Sequence, residues 1–131
     1  MRKIPLLLLL CGLVFAAHAK DHFDHDDAPF YEGVWNVRFD GHRSARFELR
    51  DWAGTWRETG AQKDMPAACR GKKFPVSIHH STTEELDFTV WGSSVNPACP
   101  DTRYVFNPRD DKTLEAPLEP GGKVTMTRLR R

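Results

Sequence analysis

Gly33-Val34-Trp35-Asn36-Val37-Arg38-Phe39 is the first strongly patterned stretch of the chain. Trp35, Val37 and Phe39 fall on one side and Val34, Asn36 and Arg38 on the other, the period-two alternation of a strand with one buried face. Trp35 is its anchor. Gly33, two residues earlier, leaves room for chain or side chain to approach, and a long cationic side chain can lie over the indole face. Arg128 or Arg130, near the far end of the sequence, is the expected cation. A first strand that meets the last in this way closes a sheet into a barrel.

Downstream, seven more alternating segments recur at regular intervals with turn residues between them. They run over 44–50, 53–59, 73–80, 85–91, 102–107, 112–116 and 122–129, and Pro117 and Pro120 hem in the seventh. Eight short strands and one modest core predict an all-β fold, an eight-stranded antiparallel up-and-down barrel over residues 31–131. Two longer loops, over 60–72 and 92–101, carry Cys69 and Cys99. In a meander these connections lie at the same end, so the two cysteines are expected to pair across one mouth. A bridge closing about thirty residues restricts the unfolded chain by about 3–4 kcal/mol in the entropy model.

Upstream, residues 1–19 read as a secretory signal peptide: Arg2 and Lys3, an apolar run from Leu6 to Ala17, and Ala17-His18-Ala19 as the cleavage site. The apolar run is too short to span a bilayer core of about 30 Å, so no transmembrane segment is expected. Cys11 leaves with the signal, and its preceding leucines lack the small residue that a lipidation site prefers. Cleavage after Ala19 implies a periplasmic or secreted protein, a setting in which Cys69 and Cys99 oxidise. Past Ala19 the chain has 17 Lys and Arg against 18 Asp and Glu, a balance that points to neither nucleic acid nor an anionic membrane.

Residues 20–30 read as a flexible N-terminal arm, polar, acidic and rich in His. With cleavage after Ala19, His22 stands third. A free α-amine, two amide nitrogens and its imidazole then offer four nitrogens in a square plane, a set suited to Cu(II) or Ni(II). No cofactor is expected.

Gly33-x-Trp35 together with Thr127-Arg128-Leu129 resembles the calycin superfamily of barrels. Within it the avidin family is the nearest resemblance, through Gly54-Thr55-Trp56, Cys69, Phe74-Pro75-Val76, Phe88-Thr89-Val90-Trp91 and Cys99. In order and approximate spacing these are similar to the disulfide-bearing dimeric bacterial avidins. The resemblance implies a homodimer and a small ligand such as biotin, touching Trp56, Glu58, Trp91 and Thr102. Several family ligands are replaced: Val37 stands for the strand-one Asn, Trp56 for the strand-three Tyr and Val124 for the acidic acceptor of strand eight. The spacing before Trp91 is also one residue short, so Trp91 faces outward unless a bulge intervenes.

Two residues ask for more than packing. Glu58 shares the face of Gly54 and Trp56, so it enters the barrel and requires a cation, for which Arg128 is a candidate. His79-His80-Ser81 has nucleophile chemistry, but adjacent strand residues point to opposite faces and no carboxylate is placed to serve them, so no enzyme activity is expected. Two function classes follow: a small-ligand-binding barrel, or a protein-interaction module such as a protease or lysozyme inhibitor acting through its loops or arm. Phe39, Phe47, Leu49, Val76, Phe88 and Phe106 all project inward. Together they can fill the barrel, in which case the loops carry the function.

Overall fold

Residues 28–60, 63–118 and 121–131 are described in the computed structural model. The expected signal segment and cleavage site, the expected arm up to residue 27 and His22 lie outside the described residues. A short 3-10 turn, Ala28–Tyr31, leads into β1 (Gly33–Arg38), β2 (Ser44–Arg50), β3 (Ala53–Glu58) and β4 (Lys73–Ser81). Then come β5 (Leu86–Trp91), β6 (Asp101–Pro108), β7 (Thr113–Leu118) and β8 (Gly122–Arg130). Each strand pairs antiparallel with the next and β8 pairs with β1, so the sheet is a closed eight-stranded barrel.

Alternation decides what fills it. Ala45, Phe47 and Leu49 of β2 face in, as do Trp56 of β3, Phe88 of β5 and Phe106 of β6, all but fully buried. Phe47 stacks on Phe88 with centroids 4.8 Å apart, Phe88 on Phe106 at 5.8 Å, and Trp56 on Tyr104 at 5.1 Å. The interior is therefore packed with aromatic rings rather than hollow, as small barrels tend to be.

One end is sealed. Trp35 Nε1 donates to Tyr31 O at 2.8 Å, the Arg128 guanidinium lies 4.6 Å from the indole centroid, and Arg128 also donates to the carbonyls of Phe30 and Asp111. Of the two expected cations, Arg128 is thus the one that covers Trp35. Gly33 has φ +127°, and a Cβ there would run into the Arg130 carbonyl, so glycine is required both by conformation and by space. The β1–β8 register runs regularly up to Trp35 opposite Arg128, and an extra residue in β8 beyond that pair sets Arg130 opposite Val34.

Two local departures from regular alternation matter. The bulge near Trp91 falls in β4, between Ile78 and His80, not in β5. β5 thus alternates strictly, and Trp91 stands on the outer wall, 37 % exposed, donating from Nε1 to Ser77 Oγ at 2.8 Å. The same bulge leaves both His79 and His80 exposed instead of on opposite faces. The seventh strand runs on through Pro117 to Leu118. β6 and β7 pair only at Asn107–Glu115 and Pro108–Leu114, so Pro117 takes part in no pairing with β6 that would need its missing N–H.

Candidate functional site at the open mouth

The other end of the barrel is built by the β1–β2 turn and the loops after β3 and β5, and the Cys69–Cys99 bridge ties those two loops together with Cα atoms 5.6 Å apart. Both sulfurs belong to the buried cluster. Gly92 is forced by close approach, since a Cβ there would strike the Pro100 carbonyl. Asp40 Oδ2 accepts from the Lys123 amide at 3.0 Å, linking the β1–β2 turn to the start of β8.

Between these loops lies a cleft of about 570 Å³, the volume range of small-molecule sites. Its base is polar. Glu58 is 4 % exposed, and Arg43 donates to it twice, from Nη2 to Oε1 at 2.7 Å and from Nε to Oε2 at 3.3 Å. Trp56 Nε1 adds a third contact to Oε1 at 3.3 Å. The Arg43 guanidinium also sits 3.9 Å from the Phe39 ring centroid, and its side chain remains 47 % exposed. Burial works against the Arg43 charge, but the Glu58 carboxylate more than offsets it and holds the guanidinium pKa above its ordinary value. Burial pushes the Tyr104 phenol up, and the nearby Arg43 only partly opposes this.

Glu58 therefore enters the barrel as its alternation requires, but its partner is Arg43 and not Arg128, which is committed to Trp35 at the opposite end. Arg43 was legible in principle. It has the parity of Ala45, Phe47 and Leu49, and the β2–β3 register that sets Ala45 against Glu58 brings it diagonally beside that carboxylate. Tyr104 could have been found the same way, from the parity of Thr102 and Phe106.

Of the four expected ligand contacts, three are brought together. Trp56, Glu58 and Thr102 border one small cavity of about 30 Å³ beneath the cleft, alongside Tyr104 and Cys69. Trp91 is excluded from the group by its place on the outer wall. The cleft above is lined by Met65, Pro66 and Pro100 as apolar surface, with His42, Lys63, Asp40 and Asp64 as its further polar side chains. Arg70 fixes that loop by donating to the carbonyls of Met65 (3.0 Å) and Lys63 (3.4 Å).

The outer wall over β4–β6 carries a different arrangement. Arg103 grips the buried Asp87 carboxylate, with Nε 2.9 Å from Oδ1, and this guanidinium holds the Asp87 carboxyl below its ordinary value. His79 Nε2 and Thr89 Oγ1 are 2.7 Å apart beside it. Asp87 is thus already held by a cation. Among the described residues no group of three or more His, Cys, Asp or Glu is placed to hold a metal ion, and no helix is long and apolar enough to cross a membrane.

No family model matches the chain, and no curated protein matches it. A solved structure described as a redesigned β-barrel is similar at 16 % identity with a TM-score of 0.43, covering 80 % of this chain and 95 % of that one.

Proposed function

We propose that this protein is a non-enzymatic binding barrel of the periplasm or extracellular medium, and that it takes a small amphipathic carboxylate in the cleft at its disulfide-bearing mouth. The observation that carries this reading is the half-exposed Arg43 at the base of that cleft. Glu58 occupies two of its five N–H donors, the Tyr104 hydroxyl is a further partner and Phe39 fixes its plane, and the donors left over can take a second carboxylate. Met65, Pro66 and Pro100 offer the apolar body of such a ligand a surface.

The avidin resemblance supports biotin as the first probe, because biotin carries a carboxylate on an apolar chain. Its place differs from the one the resemblance implies. The space beside Trp56 and Thr102 is about 30 Å³, the share of a single water molecule, so a bicyclic head group fits the mouth and not the interior. Calorimetric titration of the oxidised protein with biotin and with a plain alkyl carboxylate tests the reading, with the matching amides as controls. The acids should give saturable heat, and removing the charge from the ligand, or Arg43→Gln from the protein, should weaken binding by about tenfold or more. Absence of heat for the acids overturns it.

A second reading, a protease or lysozyme inhibitor, is favoured by the filled interior together with the exposed Val95 on a rim loop braced by the disulfide. Enzyme inhibition that is lost on deletion of residues 20–28, with the ligand heat unchanged, would select it.

A further inference from the structure

We propose that the outer wall of β1–β4 is a docking surface for an acidic polysaccharide, a site centred on that wall and reaching the rim of the mouth cleft. Arg46 of β2 stands directly opposite Arg57 of β3, and Arg57 directly opposite Lys73 of β4. Arg38 of β1 lies diagonally beside Arg46, since its own partner is Ser44. All four side chains are exposed, and among the described residues none of them takes part in an ion pair. Neighbouring strands are about 4.8 Å apart, so three like charges stand in a line at that spacing.

Such a row is costly. Like charges set directly opposite each other across strands destabilise a sheet, and here no carboxylate in the row relieves them. Other cations of the outer wall have carboxylate partners: Arg50 with Glu48, Arg103 with Asp87, Arg109 and Lys123 with Glu115. Lys112, Arg130 and Arg131 also stand outside any ion pair among the described residues and lie at the sealed end. What sets this wall apart is that its cations stand directly opposite one another on adjacent strands. A polar groove of about 380 Å³ continues it, running past Arg38 to His42 and Arg43.

The chemistry of the wall narrows the partner. Arginines present planar forks that suit sulfate and carboxylate groups. No aromatic side chain stands in the row to stack single-stranded bases. The sheet is closed, so no free edge can add a peptide strand, and the row holds no apolar anchor of the kind that centres a protein interface. A flexible chain with closely spaced anionic groups and no apolar demands fits what is left, and an acidic polysaccharide has that form.

The test is retention of the full oxidised chain on an immobilised sulfated polysaccharide, read as the salt concentration needed for elution. The protein should be retained at about 0.15 M salt, where charges farther apart than about 8 Å are screened and near-neutral proteins pass through. The triple variant R46Q/R57Q/K73Q should flow through, and K112Q/R130Q/R131Q, which removes as many cations at the sealed end, should elute with the unaltered protein. Arg57→Gln alone should elute at lower salt while its Tm stays equal or rises, a pairing of signs that a misfolded variant cannot give. Passage of the unaltered protein at 0.15 M overturns the proposal. So does equal loss in both multiple variants, or tighter retention on duplex DNA than on the polysaccharide.

Discussion

Each end of this barrel is finished by an arginine laid on an aromatic ring, and the two arginines do opposite things. Arg128 covers Trp35 and spends its donors on the carbonyls of Phe30 and Asp111, with a 3-10 turn closing over the indole. Arg43 covers Phe39 and spends its donors on the carboxylate of Glu58, with open space beyond. Carbonyl partners carry no charge, so burial lowers the Arg128 pKa and its Nε finds no partner among the described residues, a cost that the closed end bears as a seal. A carboxylate that is itself buried must keep its cation, so Arg43 is pinned at the surface with donors to spare. The same contact type gives structure at one end and a site at the other.

Breaking the seal should have the largest effect. Trp35→Ala removes the ring that Arg128, Tyr31 and the core all pack against and should cost about 3–5 kcal/mol, read as a fall in the urea midpoint. At the mouth, replacing both Cys69 and Cys99 by serine should cost about 3–4 kcal/mol through the entropy of the unfolded chain. It should also raise amide exchange in the loops after β3 and β5 while leaving the sealed end protected. Arg43→Gln and Arg128→Gln sharpen the comparison directly. The first should cost about 1–3 kcal/mol, because it strips a charge-assisted bond from a buried carboxylate, and should weaken carboxylate binding by about tenfold or more. The second should cost about 0.5–2 kcal/mol and leave binding intact.

The smallest effect lies on the wall between the two ends and depends on pH. Arg103 depresses the Asp87 pKa in the folded protein, so the stabilisation is present above the ordinary carboxylate range and is lost as pH falls through the folded value. The stability difference between the natural chain and Asp87→Asn should therefore be steady near neutrality and shrink below about pH 4.

Much of this was legible from local rules. Period-two alternation and the turns between segments placed all eight strands within a few residues, a cation over Trp35 was expected from Arg128 or Arg130, and the Cys69–Cys99 bridge followed from the meander. What was not legible depended on register and volume. The sequence does not say which strand of a pair carries a bulge, and the β4 bulge decided both the outward place of Trp91 and the exposure of His79 and His80. Nor does alternation reveal how rings pack: that Trp56, Tyr104, Phe88 and Phe47 stack closely enough to fill the barrel is a property of their geometry. Asp87 and Thr89 occupy solvent-facing positions by parity yet are buried beside the longer side chains Arg103 and His79. Period two reports direction, not burial.

The most direct test of the central claim, a filled barrel with its site at the mouth, is an amide NMR titration of the isotope-labelled oxidised protein with biotin. Saturating shifts at His42, Arg43, Lys63 and Met65, with Phe88, Phe106 and Trp35 unmoved, are the predicted result. Shifts centred on Phe88 and Phe106, or no shift at the mouth at saturating ligand, would contradict it.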